Sequence, residues 1–345
     1  MIKEALTKVV AGNHLSAEEA EEVMTEIMGG LCTPAQIAAY MTALRMKGET
    51  ADEITGSART MRTKATKIET KHDLVVDTAG TGGDGAHTFN ISTTAALVAA
   101  GAGAPMAKHG NRAVSSHCGS ADVLGALGVD IEISPERVGA CLDEVGFAFL
   151  FAPTLHASMK YAVGPRREIG LRSIFNVMGP LTNPAGSQGQ IIGVYDASLT
   201  ELMANVLNNL GAYRALVVHG SDGLDEITLA GKTRVSEVRE GKVRTFDLSP
   251  EDLGLSAHPI DACKVTALED NVRTTLMVLN GRTGPARDIV LLNAAAAIYV
   301  GGITDSMKDA VAPAVESIDS GAALAKLEAV KEFSHRPDPS SKSDG

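Results

Sequence analysis

The chain has 345 residues, which is enough for two domains or for one large domain with an appendage. Apolar residues make up 44% of the sequence and charged residues 21%, a balance typical of soluble globular proteins. The net charge of −11 argues against general nucleic-acid binding, which requires a basic surface, but it is compatible with a local basic pocket for a small phosphorylated ligand.

The first part of the chain carries helical signals and no strand pattern. Ser16 and Thr50 each begin a capping box, and Thr33 precedes a proline that suits the first position of a helix. Gly48 is a stop signal for the helix that begins after Thr33. We therefore predict a small all-helical domain over residues 1–69.

From residue 74 onward, short apolar strands alternate with helical segments. The predicted strands are LVVDTA at 74–79, PMAKHG at 105–110, VDIEI at 129–133, FAFLF at 147–151, QIIGVY at 190–195 and YRALVVHG at 213–220. This alternation predicts a mostly parallel central sheet in an α/β domain. The stretch VSEVREGKVRTF then predicts a β-hairpin that turns at Glu240 and Gly241.

The α/β domain is predicted to consist of two segments, 70–165 and 190–333. Between them, residues 166–189 carry helical signals and a Pro/Gly loop, and we expect this excursion to rejoin the small helical domain. Residues 334–345 are polar and rich in proline and serine, so we expect a disordered tail there.

Cysteine usage and hydropathy indicate a cytoplasmic protein. The four cysteines are widely spaced and form no C-x-x-C motif, which favours reduced thiols. The N-terminus is amphipathic with early acidic residues, unlike a signal peptide. The longest apolar run, at 289–300, is too short to span a bilayer.

The stretch GTGGDGAHTFNIST at 80–93 contains a G-x-G-x-x-G pattern directly after a predicted strand. In a dinucleotide-binding turn the helix starts inside this pattern, but here several residues separate Gly85 from any helix cap. Asp84 would also repel a pyrophosphate unless a cation lay between them. Flexible glycines, hydroxyls and a helix start predict an anion site with a cation near Asp84 and Ser92, and a linker of small residues is the alternative.

Three further stretches offer groups for a phosphorylated ligand. KHGNRAVSSHCGS at 108–120 follows a predicted strand and supplies Lys108, Arg112 and several hydroxyls, or else it is a solvated surface loop. Asp225 and Glu226 form a carboxylate pair that suits Mg²⁺ bound with phosphate oxygens, although such a pair is commonly just surface charge. Arg166 could bind a substrate carboxylate or form a salt bridge at a helix end.

Taken together, the motifs of this chain resemble the anthranilate phosphoribosyltransferase family over nearly the whole sequence. The motifs are GTGGD at 80–84, NIST at 90–93, KHGNR at 108–112, GSADVL at 119–124, GPLTNP at 179–184 and DGLDE at 222–226. The resemblance implies a small helical domain joined to a larger α/β domain of the nucleoside phosphorylase/phosphoribosyltransferase type, and a homodimer built through the helical domain. It also implies Mg²⁺-dependent transfer of phosphoribosyl from phosphoribosyl pyrophosphate (PRPP) to anthranilate, the second step of tryptophan synthesis from chorismate.

The resemblance further implies roles for matching positions. Contacts with PRPP are implied for Gly80, Gly83, Asp84, Thr88, Asn90, Ile91, Ser92, Thr93, Lys108, Asn111, Arg112, Ser116 and Ser120. Contacts with anthranilate are implied for Gly80, His109, Asn111, His156, Tyr161, Arg166 and Met178. Ligands of Mg²⁺ are implied for Ser92, Asp225 and Glu226. Lys108 and Arg166 are expected to act electrostatically, and no residue is expected to act as an acid or base, because an arylamine is nearly unprotonated at neutral pH.

One local difference and two alternative functions stay open at this point. The resemblance leads us to expect Lys-Ser or Arg-Cys in many relatives where this chain carries His117 and Cys118, which puts a phosphate contact through the side chain of His117 in doubt. The alternatives are a pyrimidine nucleoside or nucleotide phosphorylase on the same fold, and a non-catalytic relative that binds a phosphorylated ligand or nucleic acid.

Overall fold

The computed structural model of the chain describes residues 1–112 and 118–338. Two residues considered above, Ser116 and His117, lie outside the described residues. The α-helices are α1 (Ile2–Val10), α2 (Ala17–Met28), α3 (Pro34–Lys47), α4 (Ala51–Lys64), α5 (Ile91–Gly101), α6 (Ser120–Ala126), α7 (Pro135–Val145), α8 (Ala152–Leu155), α9 (Lys160–Ile169), α10 (Ile174–Met178), α11 (Leu199–Asn209), α12 (Leu268–Leu279), α13 (Pro285–Val300), α14 (Met307–Asp319) and α15 (Ala322–His335). Short 3-10 helices cover Ala157–Met159, Gly179–Leu181, Pro250–Leu253 and Ile260–Cys263. The strands are β1 (Val76–Gly80), β2 (Met106–Gly110), β3 (Phe147–Phe151), β4 (Gly189–Gly193), β5 (Arg214–Gly220), β6 (Thr233–Arg239) and β7 (Lys242–Leu248).

The N-terminal helices begin where the sequence predicts. In α2, α3 and α4 the N-cap residues Ser16, Thr33 and Thr50 accept a hydrogen bond from the backbone of the third helical residue, and that residue's side chain bonds back. Such reciprocal bonds satisfy two otherwise unpaired backbone donors at each helix start. The predicted capping boxes are therefore confirmed.

The strands form one sheet in the order β3-β2-β1-β4-β5-β6-β7. Neighbours from β3 to β5 pair in parallel, and β6 and β7 add an antiparallel edge. The hairpin between β6 and β7 turns at Glu240 and Gly241, whose φ angles of 53° and 72° suit a tight hairpin turn. The predicted fold class, a helical domain with a mostly parallel α/β domain, is confirmed.

The two faces of the sheet contribute to two different hydrophobic cores. Ile191 and Leu216 pack in a core with α5 and α13, whereas the adjacent Ile192 and Val217 pack in a core with α11 and the N-terminal helices. Successive strand residues point to opposite faces, which explains this alternation. The N-terminal helices, α9 and α10 thus form a helical layer that shares its core with one face of the sheet.

Two boundaries differ from those expected. Helix α9 begins at Lys160 and packs against α2 and α3, so the excursion joins the helical layer before residue 166. Helix α15 continues to His335, because Ser334 is buried and its hydroxyl accepts the backbone N–H of Asp130 at 3.0 Å. Residues 339–345 of the predicted tail lie outside the described residues.

The predicted strand at 129–133 is wrong. Val129 and Ile131 are buried and alternate with exposed Asp130 and Glu132, which gives the period of a strand. These residues nevertheless form a loop, in which the backbone N–H groups of Val129, Asp130 and Glu132 find local or side-chain acceptors, while β2 pairs directly with β3. No helix within the described residues is long and apolar enough to cross a bilayer.

Candidate active site

The glycine-rich loop connects β1 to α5 at the carboxyl end of the sheet, where open parallel sheets bind ligands. Thr81 donates its backbone N–H to the carbonyl of Gly193 at 2.9 Å, and Gly82 donates to Oδ2 of Asp225 at 2.8 Å. At its other end the loop is held by the 263–265 segment, since Val265 donates to the carbonyl of His87, which has a φ of 55°. The loop is thus fixed at both ends.

The predicted carboxylate pair lies against both ends of this loop. Asp225 accepts from Gly82, and Oε1 of Glu226 accepts the backbone N–H of Ser92 at 3.3 Å, at the start of α5. Gly80 is required for this approach, because a Cβ there would lie 2.5 Å from Oδ2 of Asp225. The segment after β5 and the segment after β1 therefore meet in one site.

The carboxylate pair is half-buried and lies close to the charge of Lys108. Burial and the neighbouring Asp84 charge raise the pKa of Asp225 to about 7, and burial and Asp225 raise the pKa of Glu226 to about 8. Neither residue forms a salt bridge within residues 1–112 and 118–338. A cation bound between these groups would favour the ionised form of both carboxyls and so lower their pKa values.

Lys108 lies on β2 beneath the loop, and its buried side chain reaches β1 and the start of α5. Its Nζ donates to the carbonyl of Thr78 at 2.5 Å and to the hydroxyl of Ser92 at 3.3 Å. Burial lowers its pKa, while the charges of Asp77, Glu226 and Asp225 oppose that shift. Lys108, for which a contact with phosphate is predicted, is thus a cation at the base of the anion site. It already donates hydrogen bonds to protein oxygens.

Asp77 is a site residue that the sequence reasoning missed. It is fully buried on β1, and its Oδ1 accepts the backbone N–H of His109 at 3.0 Å. Burial raises its pKa to about 6 even though Lys108 is close. An acidic residue inside the apolar run LVVDTA was the available signal, because a buried carboxylate requires partners.

Two of the predicted anthranilate residues form a buried histidine pair. The rings of His109 and His156 lie 5.1 Å apart between centroids. Burial lowers the pKa of His109 to about 3, with His156 also contributing, and lowers that of His156 to about 4, so both rings are neutral at pH 7. Nε2 of His109 and both ring nitrogens of His156 have no hydrogen-bond partner in the described part of the chain.

Arg166 on α9 is a half-buried guanidinium stacked 5.3 Å from the ring centroid of Phe175. It forms no ion pair with any described residue, and burial lowers its pKa. Of the other predicted anthranilate contacts, Met178 is buried in the core of the helical layer, and Tyr161 packs over Gly30 beside Lys160. The structure thus leaves Arg166 as an unpaired cation.

The second predicted anion loop is described only at its ends. Arg112 lies 3.5 Å from Asp122 and 3.4 Å from Glu132, so a phosphate contact requires it to leave these carboxylates. The carbonyl of Asn111 accepts the backbone N–H of Ala121, and Ser120 is the first residue of α6.

The remaining predicted PRPP contacts lie around the start of α5. Asn90 is the N-cap residue, but its side chain bonds to the hydroxyl of Thr93 and the carbonyl of Cys118 instead of capping the helix. The backbone N–H of Asn90 donates to Oδ1 of Asn271 on α12. The two residues are distant in the chain, and no sequence motif indicates this contact. Ile91 is buried, and Thr88 pairs with Lys264 in an isolated β-bridge. These two residues therefore contribute to the site through the position of their backbone.

Comparison with known proteins gives consistent matches over nearly the whole chain. Residues 3–65 match the glycosyl transferase family, helical bundle domain, and residues 72–324 match the glycosyl transferase family, a/b domain. The chain is 58% identical to the anthranilate phosphoribosyltransferase of Moorella thermoacetica over 96% of this chain and 97% of that protein. It is 56% identical to the protein of the same name from Symbiobacterium thermophilum, over 97% of this chain and 98% of that one.

Solved structures agree with these relatives. The crystal structure of anthranilate phosphoribosyltransferase from Thermus thermophilus superimposes with a TM-score of 0.92 at 44% identity, covering 96% of this chain and 99% of that chain. The Saccharomyces cerevisiae enzyme in complex with PRPP and Mg superimposes with a TM-score of 0.87 at 29% identity, covering 96% and 97% of the two chains.

Proposed function

The chain belongs to the glycosyl transferase family and, within it, to the anthranilate phosphoribosyltransferases, and from this premise we propose that it transfers the phosphoribosyl group of PRPP to the amine of anthranilate. The reaction forms N-(5-phosphoribosyl)anthranilate and releases pyrophosphate, as the second step of tryptophan biosynthesis from chorismate. The observation that carries the proposal is the convergence of Asp225 and Glu226 on the glycine-rich loop. This convergence places the proposed cation site directly beside the proposed anion site.

Departure of pyrophosphate builds positive charge on the ribose and negative charge on the leaving group. Backbone N–H groups of the glycine-rich loop and the start of α5 are donors for that negative charge. Lys108 contributes a buried positive charge beneath them, which is effective because little water screens it. These groups are fixed before the reaction, so they stabilise the leaving group without reorganisation.

We propose Mg²⁺ as the cofactor, held by Asp225 and Glu226 with oxygens of PRPP. The two adjacent, half-buried carboxylates form no salt bridge with a described residue, which fits a hard cation, and no set of three or more His, Cys, Asp or Glu side chains in the described residues could hold a metal alone. When bound, Mg²⁺ supplies Lewis-acid stabilisation of the phosphate oxygens. Ser92 is the further proposed ligand, and its hydroxyl must then exchange its contact with Lys108.

Anthranilate is proposed to bind between the helical layer and the carboxyl ends of the strands. Arg166 is an unpaired guanidinium that suits a carboxylate, since the two groups form parallel charge-assisted hydrogen bonds. His109 and His156 are neutral and carry unbonded ring nitrogens, which suit a polar aromatic ligand. The arylamine needs no strong base, so the residues act by holding two substrates in line.

We also propose that the enzyme is a homodimer built through the helical layer. Leu31, Met46, Val163 and Leu171 all lie in this layer, and their side chains are 77%, 84%, 51% and 56% exposed. Exposed apolar side chains gathered in one layer favour burial against a second copy. We place the enzyme in the cytoplasm, because the four cysteines form no disulfide within the described residues, as a reducing compartment favours.

One assay tests the proposed function and its alternative. The loss of anthranilate fluorescence is followed with PRPP and Mg²⁺, and the release of base from thymidine or uridine with inorganic phosphate is followed separately. We expect anthranilate to be consumed and the nucleosides to be left intact. Cleavage of a nucleoside without consumption of anthranilate would instead identify a phosphorylase.

A further inference from the structure

Arg172 lies between α9 and α10, in the helical layer, and reaches across to the glycine-rich loop. Its guanidinium donates to the carbonyl of Gly83 at 2.7 Å and stacks 4.0 Å from the ring centroid of Tyr195. Arg172 forms no salt bridge with any carboxylate in the described part of the chain, although it is exposed. An arginine this close to an anion site, with one protein hydrogen bond and no counter-ion, requires an explanation.

The bond to Gly83 fixes the direction of one peptide group. In a trans peptide the C=O and the N–H point in opposite directions, so anchoring the carbonyl of Gly83 turns the N–H of Asp84 away from Arg172. Within residues 1–112 and 118–338, the N–H groups of Gly83, Asp84 and Gly85 have no hydrogen-bond acceptor. Three consecutive N–H groups without an acceptor are donors that an anion can bind.

The position of Gly83 matches this role. A Cβ at residue 83 would lie 2.7 Å from the Arg172 guanidinium nitrogen, and the φ of Gly83 is +83°, which disfavours other residues. A neighbouring contact also holds the loop in place, because Tyr195 donates its backbone N–H to the hydroxyl of Thr81 at 3.2 Å. Tyr195 therefore holds the start of the loop through its backbone and holds Arg172 through its ring.

From these contacts we propose that Arg172 is a positioning residue for the pyrophosphate of PRPP. It binds the carbonyl of Gly83, leaves the loop N–H groups free for the phosphate oxygens, and adds a positive charge beside them. An unanchored peptide could turn its carbonyl toward the ligand, which would repel the phosphate. Since α9 carries Arg166 and leads into Arg172, one segment of the helical layer serves both substrates. This inference rests on the proposed function.

The experiment compares Arg172→Gln and Arg172→Lys with wild-type enzyme and with Arg282→Gln, an exposed arginine that serves as a matched control. Steady-state assays give kcat and the KM of each substrate, calorimetry gives the Kd of inorganic pyrophosphate with Mg²⁺, and melting of the free protein reports on folding. Tyr195→Leu removes the stacking ring and Tyr195→Phe keeps it.

We expect Arg172→Gln to raise the KM for PRPP and the Kd of pyrophosphate by about tenfold, which is the loss of one charge-assisted hydrogen bond at an exposed site. The KM for anthranilate and the melting temperature should stay near wild type. Arg172→Lys should lie between Arg172→Gln and wild type, and Tyr195→Leu should weaken pyrophosphate binding more than Tyr195→Phe.

Two results would overturn the role of Arg172. One is a pyrophosphate Kd within twofold of wild type in Arg172→Gln. The other is a parallel rise in both KM values together with a lower melting temperature, which indicates a structural role only. An inactive wild-type enzyme that still binds pyrophosphate in an Arg172-dependent way would refute the proposed reaction while supporting the positioning role.

Discussion

Replacement of Arg166 by alanine tests the proposed anthranilate site most sharply. The guanidinium stacks on Phe175 and has no ion pair with any described residue, so the free protein loses little when it is removed. With substrate bound, the variant loses a bidentate contact between two opposite charges. A hydrogen bond to a charged group contributes about 1.5–3 kcal/mol, and half-exposure of the site favours the lower part of that range.

A loss of about 2 kcal/mol corresponds to a rise of roughly thirtyfold in the KM for anthranilate. The KM for PRPP should change by less than about threefold, because Arg166 faces the other substrate. Steady-state fluorescence assays with each substrate varied in turn measure both constants, and Arg167→Ala serves as the neighbouring exposed control. A larger rise in the KM for PRPP than in that for anthranilate would refute the carboxylate role, as would a marked drop in melting temperature.

Three further predictions concern PRPP binding, pH and assembly. Ser92→Ala should raise the KM for PRPP with little change in that for anthranilate, and an unchanged PRPP titration would count against Ser92. Melting of the metal-free protein should shift to lower temperature from pH 6.5 to 8, because carboxyls with pKa values raised to about 7 and 8 bind protons in the folded state that the unfolded chain has lost. The two histidines oppose this decline only near pH 6.5, where the unfolded chain still loses their protons, and no longer oppose it toward pH 8. Asp225→Asn with Glu226→Gln should flatten this decline, and an equally steep decline in that variant would contradict the assignment. Met46→Glu should convert a dimer to a monomer in analytical ultracentrifugation, and an unchanged sedimentation coefficient would contradict the proposed interface.

The local features of the fold could be predicted because each depends on a short stretch of sequence. The capping boxes at Ser16 and Thr50, and the hairpin turn at Glu240 and Gly241, depend on neighbouring residues only. The G-x-G-x-x-G pattern could also be judged from nearby residues, since the number of residues between Gly85 and the helix start argued against a dinucleotide-binding turn. The structure places α5 after Asn90, in agreement with that interpretation.

The rest depends on contacts between residues that are distant in the chain. The alternation at 129–133 is genuine, but whether it forms a strand depends on a partner, and β2 already pairs with β3. Arg172 carried no motif, and its importance appears only when Gly83 and Tyr195 are brought to it. Asp77 could have been noticed as a buried acid, but its partner His109 belongs to another strand.

The central claim is that Asp225 and Glu226 make the glycine-rich loop a magnesium-assisted site for PRPP. The most direct measurement is the rate of anthranilate consumption across a Mg²⁺ titration, for wild type, for Asp225→Asn with Glu226→Gln, and for Glu240→Gln as an exposed control. We predict PRPP-dependent activity that requires Mg²⁺ in wild type and the control, and a loss on the order of a hundredfold at low Mg²⁺ in the double variant. Wild-type activity of the double variant at low Mg²⁺ would contradict the account.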